Sequence, residues 1–153
     1  MIFLLLSSAV MAEDRLYFPK PSVTRTVIAQ SGLIQEASPL NRQNLADFMN
    51  VEISNRPYPP HMSVQVLGVK GEALLITAHQ NDFINSTYRA EAAMARFSSL
   101  TRTMPVFVQS GIGPYVNFTD MLAMLGFKAL ILSDGVAFAY QVNIQQPEKA
   151  IKP

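Results

Sequence analysis

His79, Ser110 and Asp134 are the side chains whose types could together carry out hydrolysis: an imidazole base, a hydroxyl nucleophile and a carboxylate to orient the base. Ser110 stands in Gln109-Ser-Gly-Ile-Gly113, which the pattern places after a strand, where a nucleophile elbow would present its serine. That elbow requires glycine two residues before the serine, and Val108 occupies the position. Both histidines, His61 and His79, precede Ser110, so a triad would have to take the order His79, Ser110, then Asp120 or Asp134. The spacing favours no catalytic set. Hydrolysis by His79, Ser110 and Asp134 therefore stands as an alternative to a chain without chemistry of its own.

Metal and cofactor chemistry have less to work with. His79 and Asp82 form H-x-x-D, with Glu91 as a conceivable third ligand. A zinc site usually needs three or four such ligands, and this spacing matches no established metal motif. The chain has no Cys, which excludes thiol catalysis, thiolate-ligated zinc, iron–sulfur clusters and disulfide frameworks. Ser110-Gly-Ile-Gly-Pro114 resembles an anion nest in its glycines, but it is not G-x-G-x-x-G, lacks the P-loop lysine, and Pro114 has no backbone donor. No cofactor and no metal are expected. With 12 Lys and Arg against 11 Asp and Glu, the net charge is +1, and there is no basic footprint for nucleic acid.

The 153 residues fit one domain, large enough to bury a core without metal or disulfide. Only 15% are charged and 49% are hydrophobic, so polar surface is scarce and burial against partners or life in a cell envelope is favoured. Residues 1–12 carry no charged side chain, and the apolar run from Ile2 to Val10 has the length of a signal-peptide core. Val10-Met11-Ala12 would place cleavage before Glu13. As a helix, residues 1–12 reach about 18 Å, short of a ~30 Å hydrocarbon core, so no transmembrane span is expected. Export to the periplasm, or secretion, is the expectation.

Four segments are expected: the apolar residues 1–12, a proline-punctuated arm over 13–60, an α+β core over 61–144, and a flexible tail over 145–153. Within the arm, Ser22–Gln30 is β-prone, and Ser38-Pro39 pairs an N-cap with proline at the first helical position. Leu45, Phe48 and Met49 then continue a helix to about Asn50, and Arg56-Pro-Tyr-Pro-Pro60 forms an extended connector.

In the core, two apolar runs around Lys70-Gly71 predict a hairpin. Ala90, Ala93, Met94, Phe97 and Leu100 mark one face of a helix over about 82–102, capped by Asp82 or Ser86 and stopped by Met104-Pro105. A strand is expected at 105–108, and a short helix over 120–125 with Thr119 as cap and Gly126 as its left-handed end. A strand over 128–132 and an Asp134-Gly135 turn into a last strand, Val136–Ile144, complete the chain. The sequons Asn85-Ser-Thr87 and Asn117-Phe-Thr119 fall at helix starts, where capping explains them. The expected fold is α+β: one mixed sheet, order ββαβαββ after the arm, with two helices packed on it.

Met121, Leu122, Met124 and Leu125 leave the second helix apolar all round, which suits either a covered helix or one presenting a face to a partner. Core burial is the favoured reading. Phe138 and Tyr140 lie on the last strand, which could pair with another chain if it formed a sheet edge. These six residues are the candidate interaction surface. The best expectation is a non-catalytic exported protein, a structural or accessory component of a bacterial envelope assembly of the secretion or conjugation type. Its partners would be envelope proteins, further copies of the chain among them. A periplasmic ligand- or toxin-binding protein of the immunity type is a further alternative.

Overall fold

A computed structural model describes residues 18–56, 62–79 and 84–148. The apolar residues 1–12, His61, Asp82, the 57–60 connector and the end of the tail lie outside these. The elements are β1 (Val23–Ile28), α1 (Pro39–Ser54), β2 (Met62–Leu67), β3 (Ala73–Ala78), α2 (Thr87–Thr101), α3 (Pro105–Ser110), α4 (Phe118–Met124), β4 (Ala129–Ser133) and β5 (Ala139–Gln145). The strands make one mixed sheet in the order β1-β5-β4-β3-β2. The outer pair β2–β3 and the central pair β4–β5 are antiparallel, while β1–β5 and β3–β4 are parallel. The fold is α+β, as expected.

Side chains alternate across a strand, so each row of paired residues belongs to one face. Val64, Ile76, Leu132 and Tyr140 form one such row, and Leu74, Leu130 and Val142 belong to the next on the same face. All are buried under the helices, in one cluster with Leu45 and Met49 of α1, Met94 and Phe97 of α2, Phe107 of α3 and Met121 of α4. Full burial of each such side chain stabilises by about 1.5–3 kcal/mol. On the opposite face Leu75, Ile131 and Ala139 form a smaller cluster against Phe18 and Leu67.

The local signals explain the element starts. The Ser38 hydroxyl accepts from the Asn41 N–H at 3.1 Å, and Pro39 opens α1. Ser86 caps α2 and Asn117 caps α4, each through its side chain, so both sequons do serve as helix starts. Asn117, not Thr119, is the α4 cap, because the helix begins at Phe118, two residues before the expected start. Gly71 has φ of 63° between β2 and β3, the conformation the hairpin requires.

Three further expectations differ from the structure. Residues 105–108 form the start of helix α3 rather than a strand. Pro105 presets the first helical φ, Phe107 is buried with Val106 half-buried beside it, and Gly111 closes the helix at φ 65°. Apolar β-branched residues on either side of Phe107 imitate a strand, yet Val108 is exposed. The order after residue 61 is therefore ββαααββ, with three helices where two are expected, in addition to α1. The turn after β4 is also wider than a two-residue hairpin, since β5 begins only at Ala139. The segment read as an arm contributes β1 to the sheet and the buried Leu45, Ala46, Met49 and Ile53 of α1 to the core.

Candidate functional site

Among the described residues a cleft of about 370 Å³ lies between α2, the first turn of α4 and the edge strand β1. Glu91, Met94, Ala95, Ser98 and Arg102 recur at helical spacing and make one wall from a single face of α2. Opposite stand Asn117 and Thr119 at the start of α4, with Tyr115 at the rim, 94% exposed. Arg25 reaches in from β1.

Where β1 meets α2, three charged or polar groups form a cluster. Arg25 Nη2 lies 3.1 Å from Glu91 Oε1, and the Tyr140 hydroxyl donates to the same carboxylate oxygen. The Arg25 guanidinium also stands 5.9 Å from the centre of the Tyr140 ring. The ring itself is 1% exposed, so only its hydroxyl needs a polar partner, and Glu91 supplies it. Burial, and then the hydrogen bond to Glu91, push the Tyr140 hydroxyl up to about 12. At neutral pH it holds its proton and acts as a donor, not as a base. At the other end the Arg102 guanidinium donates to the carbonyls of Gly113, at 2.6 Å, and Val116, tying the α3–α4 loop to α2. The cleft thus has mixed walls, polar at Ser98, Asn117 and Thr119 and apolar at Met94, Ala95 and Phe118.

The residues read as a hydrolytic set have other work. His79 follows β3, is exposed, and shares a 2.9 Å hydrogen bond with the Ser63 hydroxyl across the β2–β3 pair. Asp134 follows the adjacent parallel strand β4, so the topology brings it to the same end of the sheet as His79. Its carboxylate, however, is turned into its own loop, where one oxygen accepts from the N–H groups of Val136, Ala137 and Phe138 at 2.8 to 2.9 Å. Burial raises this carboxyl, but those backbone donors outweigh it and hold the group below its ordinary 3.8. Ser110 ends α3, and its hydroxyl donates to Val106 one turn back at 2.6 Å. No hydrogen bond among the described residues joins the three. Asp120 is buried in the first turn of α4, where its carboxylate accepts from the Gln30 N–H at 2.8 Å and fixes the end of β1. Among the described residues no group of three or more His, Asp or Glu is placed to hold a metal.

The candidate interaction residues are also placed. Met121, Leu122, Met124 and Leu125 lie in the core, not at the surface. Phe118 of α4 packs on Phe97 of α2 with ring centres 5.6 Å apart, and the Ile34 N–H and the Gln146 side chain reach the α4 carbonyls of Met124 and Ala123. A helix that is apolar all round is here covered all round. Tyr140 is buried and Phe138 half-buried, and β5 is flanked by β1 and β4, so the last strand is not an edge. The edge is β1.

The sequence carries little sign of the Arg25–Glu91–Tyr140 cluster. Its only sequence signals are a tyrosine at an inward strand position, whose hydroxyl must find a partner, and an acid beside the apolar stripe of α2. Nothing in the spacing of residues 25, 91 and 140 brings them together. No family matches this chain, and no curated protein or solved structure is significantly similar to it. No helix among the described residues is long and apolar enough to cross a membrane.

Proposed function

We propose that the chain is a non-catalytic exported protein that serves as a structural or accessory component of a bacterial envelope assembly of the secretion or conjugation type. The observation that carries the non-catalytic part is the occupation of its reactive groups. Ser110 is bound to its own helix, the Asp134 carboxylate to its own loop, and Tyr140 keeps its proton. The uncharged, apolar stretch from Ile2 to Val10 and the low charge of the whole chain support the compartment. Crosslinking in the native host, followed by affinity purification and mass spectrometry, tests both parts. Recovery with envelope machinery, in a form beginning at Glu13, is the expected result. Recovery alone from the cytoplasm with residues 1–12 intact would overturn it.

A second reading, capture of a small polar ligand, is favoured by the cleft itself, with Arg25, Glu91 and Asn117 on its walls. It requires that Ala95→Trp, which fills the cleft from an exposed helix position, abolish binding while the fold persists.

A further inference from the structure

The two edges of the sheet are treated differently. At β2 the Asn50 side chain of α1 imitates a neighbouring strand. Its Oδ1 accepts from the Val64 N–H at 2.8 Å and its Nδ2 donates to the Val64 carbonyl at 2.8 Å. That reciprocal pair covers the middle of the edge, as natural sheets commonly do against unwanted pairing. At β1 nothing comparable is present: among the described residues no strand, helix or side chain hydrogen-bonds to its outer edge. All six side chains of β1 are exposed or half-exposed, with Ile28 at 67%, and five of the six are β-branched. Its one charge, Arg25, is already neutralised within the chain by Glu91. An open, β-prone edge without a net charge is built for addition of another strand.

We propose that β1 pairs antiparallel with β1 of a second copy of this chain, about a two-fold axis through Thr26. This joins two five-stranded sheets into one and keeps the helices of both copies on the same side. The register follows from side-chain chemistry. A two-fold normal to the sheet must pass through a residue, so that Val23, Arg25 and Val27 stay on the helix-bearing face and Thr24, Thr26 and Ile28 on the other. An axis through Arg25 would set two guanidinium groups directly opposite each other, which is destabilising. Through Thr26, threonine meets threonine, Arg25 meets Val27 of the partner copy, and Thr24 meets its Ile28; threonine pairs of this kind are favourable. The pairing is independent of the compartment in which the chain resides, so it stands or falls apart from the envelope reading.

The test places charges on the axis. Residue 26 is exposed, so Thr26→Lys and Thr26→Glu leave the fold and melting temperature unchanged, yet each sets like charges opposite in the homodimer. Analytical ultracentrifugation of the full chain should show a dimer at high micromolar concentration. Each variant alone should associate roughly tenfold or more weakly, and an equimolar mixture should recover the dimer. Because the chain has no Cys, Thr26→Cys with a short bismaleimide gives a covalent dimer, whereas Gln65→Cys on β2 does not. A wild-type chain that stays monomeric overturns the proposal. Charged variants that associate as well as wild type, or a mixture that fails to recover the dimer, overturn it equally.

Discussion

The guanidinium of Arg42 lies 3.0 Å from where a β-carbon on Gly126 would stand. Arg42 is 7% exposed, and its donors reach the carbonyls of Gly71 at 2.7 Å, Lys70 at 2.9 Å and Leu125 at 3.0 Å. One side chain therefore joins α1, the β2–β3 turn and the end of α4, where Gly126 has φ of 87°. The close approach needs glycine for two reasons at once: its conformation and its missing side chain.

Arg42→Ala should cost about 2–4 kcal/mol, because three buried or half-buried carbonyls lose their donor together. Arg42→Lys should recover only part, since a single ammonium cannot span the same fork. Gly126→Ala should destabilise as well, through φ and through displacement of Arg42. Urea unfolding of the three variants measures this, and wild-type stability in Arg42→Ala would remove the staple from the account.

The cluster at Tyr140 makes a prediction about alkaline pH. A tyrosine held at about 12 instead of the ordinary 10.0 contributes stability below pH 10 that is lost as pH rises through 12. Tyrosinate absorbance should show a step near 12, and Tyr140→Phe should remove it. Glu91→Gln should shift it toward 10, since the carboxylate is one of the causes of the rise.

How far the sequence reaches is visible in these same residues. Ser38-Pro39, the stripe from Ala90 to Leu100 and the Lys70-Gly71 hairpin are all legible, because caps, helical period and turn glycines act within a few residues. Residues 105–108 mislead because a short apolar run carries no period, and proline opens a helix as readily as it breaks one. The parallel partnership of β1 with β5, which makes β1 the edge, joins residues more than a hundred positions apart. The cleft depends on that partnership, since Arg25 meets Glu91 and Tyr140 only once β1 lies beside β5. Arg42 is a further case: a basic residue on a helix reads as solvated until the turns it clasps are in place.

Acid should act through Asp134. Its carboxyl is held low in the folded chain, so it contributes stability above the ordinary 3.8 that is lost as pH falls through the lower folded value. Asp134→Asn keeps an oxygen acceptor but loses the charge, and should cost about 1 kcal/mol at neutral pH. The variant should also show a shallower loss of stability on acidification. Thermal melts of both chains between neutral pH and strong acid decide the point, and parallel curves would count against this role.

Asn50 tests whether blocking an edge matters as much as leaving one open. Asn50→Leu keeps the bulk of the side chain at a half-buried position but leaves the Val64 N–H and carbonyl without partners. A cost of about 1–3 kcal/mol is expected. Asn50→Asp discriminates between the two bonds, for its carboxylate still accepts from the Val64 N–H but repels the carbonyl. Asn50→Leu uncovers the middle of β2, so light scattering of that variant should show concentration-dependent association beyond any dimer formed through β1. Combined with Thr26→Lys, Asn50→Leu should still associate, now through β2 alone. If the double variant stays monomeric and as stable as wild type, Asn50 does not guard that edge, and the asymmetry between β1 and β2 loses its physical basis.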